Sequence, residues 1–272
     1  MTALTLRLRE TPPVSVDVSI LSPRRLAGLA RAQIEALELE IGNRSSQVGE
    51  LFEVSGDDWD NVVVENATER LTHLGAGMQS GTLVVNGNAG AYLGFGMSAG
   101  RIRVAGNAGI FAGCEMEGGT IEIGGNAGDW LAGALAGDKQ GMRGGLLHVR
   151  GHAGDRAADR MRRGVVLIQG GAGAYLGSRM LAGTVIVGSG IGPHPGFALR
   201  HGTLLLLIAP KELPSNYNDC GQHALLFLRL LERDLRTRGG LDAFLPLPHS
   251  MRRYCGDMAT GGKGEIFIPG SA

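Results

Sequence analysis

The sequence predicts a mainly β fold: a right-handed parallel β-helix of about seven 19-residue coils, with a small N-terminal α+β cap and a C-terminal helix. Three observations lead there. Glycine accounts for 46 of 272 residues, more than twice its ordinary share of about 7%. Setting Met78, Met97, Met116, Met142, Met161, Met180 and Leu199 in one column leaves intervals of 19, 19, 26, 19, 19 and 19 residues. Behind each position come apolar residues spaced by two, as one face of a strand requires: Leu83/Val85, Ile102/Val104, Ile121/Ile123, Leu147/Val149, Val166/Ile168, Val185/Val187 and Leu204/Leu206. A unit this short cannot bury its own apolar face and must stack on copies of itself. There is no six-residue beat of a hexapeptide β-helix and no helical half of a leucine-rich repeat.

Residues 1–55 lack the period and form the expected cap. LTLRLR alternates like an edge strand, and SPRRLAGLARAQIEAL reads as one helix from a Ser22 cap with Pro23 in the first turn. The β-helix spans 56–208. A weaker turn is expected before Met78, because Trp59 lies 19 residues upstream. At about 4.8 Å per coil, seven coils make a rod roughly 34 Å long. The irregular interval carries seven extra residues within LAGALAGDKQG, read as a loop bulging from a regular coil.

Two turn columns run along the repeat. Asn88, Asn107, Asn126, His152, Gly171 and Gly190 lie ten residues after each Met slot, two ahead of Gly90, Gly109, Gly128, Gly154, Gly173 and Gly192. Asn and Gly tolerate a left-handed backbone, and stacked Asn side chains bond along a column. Tyr92, Phe111, Trp130, Arg156, Tyr175 and His194 form the second column, read either as rings stacked between coils or as an aromatic docking stripe.

Outward strand positions change character along the rod. Thr82, Arg101, Arg103, Thr120 and Glu122 suit solvent, with an Arg103–Glu122 pair between coils, whereas Val165, Leu167, Ile186, Leu205 and Leu207 require a cover. The third segment, 209–272, supplies one. Pro210 and Pro214 end the repeat, and HALLFLRLLERDLRTR, residues 223–238, is an amphipathic helix closed by Gly239-Gly240. A partner protein is expected to extend that cover.

Composition excludes several classes. The formal net charge is zero, giving no case for a nucleic-acid or membrane partner. No signal-peptide run or membrane-length apolar stretch is present, so a cytoplasmic location is expected. Cys114, Cys220 and Cys255 are far apart in sequence and lack C-x-x-C spacing, against a disulfide framework or zinc site. Stretches such as GMSAGRIRVAGNAGIFAG imitate a phosphate loop but recur at fixed phase and lead into strands, not helices. His148 and His152 fall on a strand and its following turn, not one helix face, so no metal site is assigned. No catalytic residue is assigned either, since no nucleophile elbow, Cys/His pair or acidic pair stands out. The one local charge feature is Arg156, Arg160, Arg162 and Arg163, with Arg150 and Arg179 nearby. It reads as a solvated face or as a site for a polyanion, either a partner's acidic surface or a carboxylate-rich cofactor tail.

The pattern G-x-x-M-x-x-G-x-[IL]-x-[IV]-x-G, carried by GAGMQSGTLVVNG, GFGMSAGRIRVAG and GCEMEGGTIEIGG, resembles the C subunit of the formylmethanofuran dehydrogenase family, as does the tail RYCGDMATGGKGEIFI. KQGMRGGLLHVRG and ADRMRRGVVLIQG depart at the first glycine, and the last two coils drift further, with Ser189 for glycine and Leu199 for Met. The resemblance implies a noncatalytic component in one-carbon transfer between tetrahydromethanopterin and a methanofuran-type cofactor. It also implies amidohydrolase-like, formyltransferase and dehydrogenase-B-like partners, with the cofactor and metal held by those partners. Two relatives share the pattern, the archaeal dehydrogenase with its molybdenum- or tungsten-bearing component and the bacterial formyltransferase/hydrolase complex that releases formate. Arginine outnumbers lysine 23 to 3, a genomic hint toward the bacterial complex. A glutamate-synthase-like β-helix spacer and a stand-alone β-helix hydrolase remain as alternatives.

Overall fold

The structure, a computed structural model, describes residues 2–238 and 246–270. The chain opens with β1 (Ala3–Leu8) and β2 (Val16–Asp17), then two short helices, α1 (Pro23–Leu26) and α2 (Arg31–Glu35). The strands β3 (Glu38–Ile41) and β4 (Arg44–Gln47), α3 (Val48–Leu51) and β5 (Phe52–Ser55) follow, then β6 (Asp58–Ala67) and β7 (Leu71–Thr72). Seven strands recur in phase: β8 (Thr82–Gly87), β9 (Arg101–Val104), β10 (Thr120–Ile123), β11 (Leu146–Val149), β12 (Val165–Ile168), β13 (Thr184–Val187) and β14 (Thr203–Leu206). The tail contributes β15 (Asn218–Ala224), α4 (Leu226–Arg238), β16 (Ser250–Gly256) and β17 (Gly264–Ile268).

Thirteen of these strands form one sheet in the order β15-β16-β17-β14-β13-β12-β11-β10-β9-β8-β6-β1-β5. From β1 through to β17 every pairing is parallel; the pairs β1–β5, β16–β17 and β15–β16 are antiparallel. This large, mostly parallel, β-helix-like sheet matches the expected fold class. A second, short parallel row runs through Ala89, Ala108, Ala127, Ala153, Ala172 and Ile191 on the turns.

The inward row Leu83, Ile102, Ile121, Leu147, Val166, Val185 and Leu204 is sealed from solvent, and so is the Met column. The glycine three residues after each Met has a steric reason. At Gly100, where φ is +92°, a Cβ would stand 2.8 Å from the Cε of Met78 in the preceding coil, so each methionine fills the space that the next coil's glycine leaves open.

The sequence expectations need four corrections. LTLRLR is not at an edge: β1 lies between β6 and β5, so β1 and β5 of the N-terminal segment continue the main sheet, while β2, β3 and β4 form a separate sheet with β7. The single helix from Ser22 splits into α1 and α2, because Gly28 turns left-handed at φ +79°. Ser22 occupies the cap position, but its side chain makes no cap bond. The coil before Met78 is present at a different period, since Asn61 faces Thr82, 21 residues on, and Trp59 lies on β6 rather than in a turn. Residues 223–224 belong to β15 and the helix starts at Leu226, while the expected Gly239-Gly240 stop falls outside the described residues.

The cover itself is as expected. Leu167, Ile186 and Leu205 pack with Leu228 and Leu235 of α4, Met251 of β16 and Phe267 of β17 in a second core outside the sheet, with Val165 and Leu207 at its margin. The sequence pattern did not reveal that the tail contributes strands as well as a helix.

Candidate functional site

Two side-chain columns on the turns follow from the stacking. The Asn column bonds along the rod: Asn88 Oδ1 accepts from Asn107 N at 2.9 Å, Asn107 Oδ1 from Asn126 N at 2.8 Å, and Asn126 Oδ1 from His152 N at 2.8 Å. His152 continues it, its Nδ1 accepting from Gly171 N at 2.9 Å. These Asn are not left-handed, contrary to expectation; their value is the side-chain acceptor aimed at the next coil's N–H. The glycine two residues on is set by close approach, since a Cβ at Gly109 would stand 2.8 Å from the backbone nitrogen of Ala91.

The left-handed positions are instead those of the aromatic column. Tyr92, Phe111, Trp130, Arg156, Tyr175 and His194 all have φ between +57° and +63°. Their rings stack: Tyr92 on Phe111 at 5.4 Å, Phe111 on Trp130 at 5.7 Å, Tyr175 against His194 at 4.9 Å. Arg156 fills the gap, its guanidinium 5.1 Å from the Trp130 ring centre and 4.8 Å from that of Tyr175. His73 joins at the other end, 4.7 Å from Tyr92; its signal was its place 19 residues before Tyr92. A left-handed non-glycine residue costs about 1–2 kcal/mol, and ring and cation–π stacking of about 0.5–1.5 kcal/mol per contact offsets it.

The four candidate arginines therefore do not form one group. Arg156 is committed to the ring column. Arg162 and Arg163 are exposed and flank a shallow depression with Leu181 and Ala182. Arg160 lies on the wall of a larger cavity of about 560 Å3, together with Lys139, Arg179, Leu181, Arg200 and Thr260. Leu181 belongs to both, so the two depressions adjoin.

Lys139 comes from the insertion loop, the arginines from successive coils, and Thr260 from the tail. The insertion leans on the coils beneath it, with Gly141 N donating to Arg160 O at 2.9 Å and the Arg160 guanidinium donating to Asp138 O. Arg179 is held bidentately by Asp159, at 2.8 and 3.0 Å, and that carboxylate is 1% exposed. Among the described residues, Lys139, Arg160, Arg162, Arg163 and Arg200 make no ion pair. Arg179 was marked in the sequence by its 19-residue offset from Arg160. Lys139 had no such mark, because the insertion has no repeat partner.

Toward the rod's first coils the charges are paired. Glu115 and Glu117 hold Arg143 at 3.4 and 3.1 Å, and burial, with a hydrogen bond to Asp138, raises the Glu115 carboxyl above its ordinary value. Glu122 pairs with Arg103 at 3.4 Å, as the sequence suggested, and with Arg101 at 3.6 Å. One outward row reads Arg103, Glu122, His148, Leu167, Ile186, Leu205, Phe267, with His148 at the border of the covered core. Burial pushes the His148 imidazole down to about 4.

No described cluster of three or more His, Cys, Asp or Glu is arranged to hold a metal ion. Although distant in sequence, Cys220 and Cys255 lie on the paired strands β15 and β16; both are free thiols. Burial pushes Cys255 up to about 11, and a hydrogen bond with Cys220 adds to the shift. No described helix is long and apolar enough to cross a membrane.

No protein-family model matches the chain. It is 47% identical to the C subunit of the formyltransferase/hydrolase complex Fhc of Methylorubrum extorquens, over 97% of this chain and 99% of that protein. A shorter match, 32% identical over 34% of this chain and 35% of the relative, links it to the C subunit of a tungsten-containing formylmethanofuran dehydrogenase 2 of Methanococcus maripaludis. Among solved structures, a chain of the formyltransferase/hydrolase complex (FhcABCD) from Methylorubrum extorquens, crystallised with methylofuran, superposes with a TM-score of 0.92. That alignment is 41% identical and covers 98% of this chain and 100% of that one.

Proposed function

The chain belongs to the C-subunit family of formyltransferase/hydrolase complexes, and from that membership we propose that it is the noncatalytic scaffold of such a complex. The complex converts formyl-tetrahydromethanopterin to formate through a formylated furan cofactor, and formyl transfer and amide hydrolysis fall to amidohydrolase-like, formyltransferase and dehydrogenase-B-like partners. The observation that carries this reading is the full-length likeness to a chain solved inside an assembly of the same kind. The rod's construction supports it. The polar side chains of its columns are engaged in holding one coil to the next, which suits a rigid platform.

In this reading the protein is a right-handed β-helix of seven regular coils, divided into a cap (1–55), a rod (56–208) and a covering tail (209–272), and works in the cytoplasm. The basic depressions around Arg160, Arg162 and Arg163 fit carboxylates, by guanidinium forks that bind them bidentately. They are the part of this chain suited to an acidic partner surface or to the carboxylate-bearing tail of a furan cofactor. Arg156 contributes through the ring column instead.

Native mass spectrometry of the gently purified complex, with formate release assayed on the complex and on the chain alone, tests the proposal. Three further polypeptides, formate from the complex and no turnover by the chain are expected. Molybdenum or tungsten in the complex would instead assign a dehydrogenase, glutaminase and flavin-containing partners a spacer, and turnover by the chain alone a hydrolase.

A further inference from the structure

We infer that the groove between the insertion loop and the tail is a docking site for an acidic, apolar-anchored segment of a neighbouring polypeptide of the complex. The inference rests on the scaffold reading and specifies which surface of the chain does the holding.

Charge is the first argument. The protein is neutral as a whole, yet Lys139, Arg160 and Arg200 gather on one cavity wall with no carboxylate partner among the described residues. Arg179 beside them is held by the nearly buried Asp159, which fixes the guanidinium's position at the cavity wall. A concave surface lined by one sign of charge draws in the opposite one.

Size and shape are the second. At about 560 Å3, the groove is far larger than one carboxylate needs, and its cations sit on coils stacked about 4.8 Å apart. An extended chain advances about 3.3 Å per residue, so acidic side chains a few residues apart on a segment laid along the groove meet successive cations.

The third argument is the apolar rim. The Phe197 carbonyl accepts from Arg179 N at 2.7 Å, and Phe197 is 53% exposed. Met258, 55% exposed, opens the tail's single turn that also carries Thr260 on the cavity wall. The Phe197 ring meets Tyr175 edge-on at 5.8 Å and lines the neighbouring depression with Asn216 and Asp257. It and Met258 still keep about half their surface in water, next in the chain to Ala198 and close to Thr260 of the cavity wall, which suits a partner segment with an apolar anchor near its carboxylates, since core contacts supply affinity and charges supply register. The exposed Leu226 and Leu230 of α4 are not part of this site.

Zero-length crosslinking of the purified complex is a direct test, because a carbodiimide joins an amine to a carboxylate in contact with it and the chain has only three lysines, Lys139, Lys211 and Lys263. The expected product links Lys139 to an Asp or Glu in an acidic stretch of another polypeptide. The Lys139→Gln/Arg200→Gln variant, which leaves the Asp159–Arg179 pair intact, should release that polypeptide at no more than half the NaCl concentration the wild type requires. Phe197→Ser/Met258→Ser should weaken retention with little change in salt dependence. An unlinked Lys139, together with wild-type retention by the charge variant, overturns the inference. So does a Lys139 adduct with a small carboxylate in place of a peptide, which would give the groove to a cofactor. If the wild-type chain co-purifies with no other polypeptide, the scaffold reading itself fails.

Discussion

At the scale of single residues, two kinds of position carry the rod, and they respond differently to substitution. Gly109 is held by the coil behind it, so Gly109→Ala drives a Cβ into backbone and should cost about 2–3 kcal/mol, read from the denaturant midpoint. At Gly77 a Cβ meets nothing within 4 Å and only the left-handed φ of +64° matters, so Gly77→Ala should cost about 1 kcal/mol. His148 gives a pH signature. Its folded-state affinity for a proton, falling at about 4, lies below the unfolded value of about 6.5. Protonation therefore favours the unfolded chain, and stability is lost as pH falls from about 6.5 toward 4. Replacing it by leucine removes that term: the Tm of His148→Leu relative to wild type should rise between pH 7 and pH 4.5, and a constant difference would refute the assignment.

At the scale of elements, α4 is the cover whose need was written in the strands. Leu167, Ile186 and Leu205 are apolar on a face where earlier coils carry Arg103 and Glu122, and Leu228 and Leu235 meet them. Leu235→Ala should cost about 2–5 kcal/mol and expose the sheet, measurable as increased binding of an apolar dye before global unfolding. The strands, Met column and ring column were legible because a fixed period turns each residue into one of several copies. Whatever lacked a copy was not legible. The split at Gly28, the 21-residue step before β8, the tail strands β16 and β17 and the position of Lys139 arise from long-range pairing that a single pass along the chain leaves unmarked. The arginines illustrate both halves. Their clustering in sequence was visible, but only the stack shows that Arg156 serves the rings while Arg160 turns to a cavity wall.

At the scale of the whole molecule, a sheet of this length is safe only if its ends stop recruiting strands. Both ends turn antiparallel, through β5 at one side and β16 and β15 at the other, and β15 carries an irregular register between Asp219 and Gln222 that spoils it as a template. The interior poses a subtler problem. Coils of equal length are interchangeable, so a chain sliding by 19 residues would find nearly the same partners for every strand, and the native alignment has a ladder of near-degenerate competitors. The seven-residue insertion removes that degeneracy. It acts as a phase marker, because any slide past it leaves seven residues with nowhere to go and separates one correct registration from all its translated copies. Deleting residues 135–141 should lower the yield of native protein on refolding from denaturant, and a Gly/Ser loop of equal length should restore it, although that loop lacks Lys139. A stretch that looks like a flaw in the periodicity is thus what lets a repetitive polymer count its own turns.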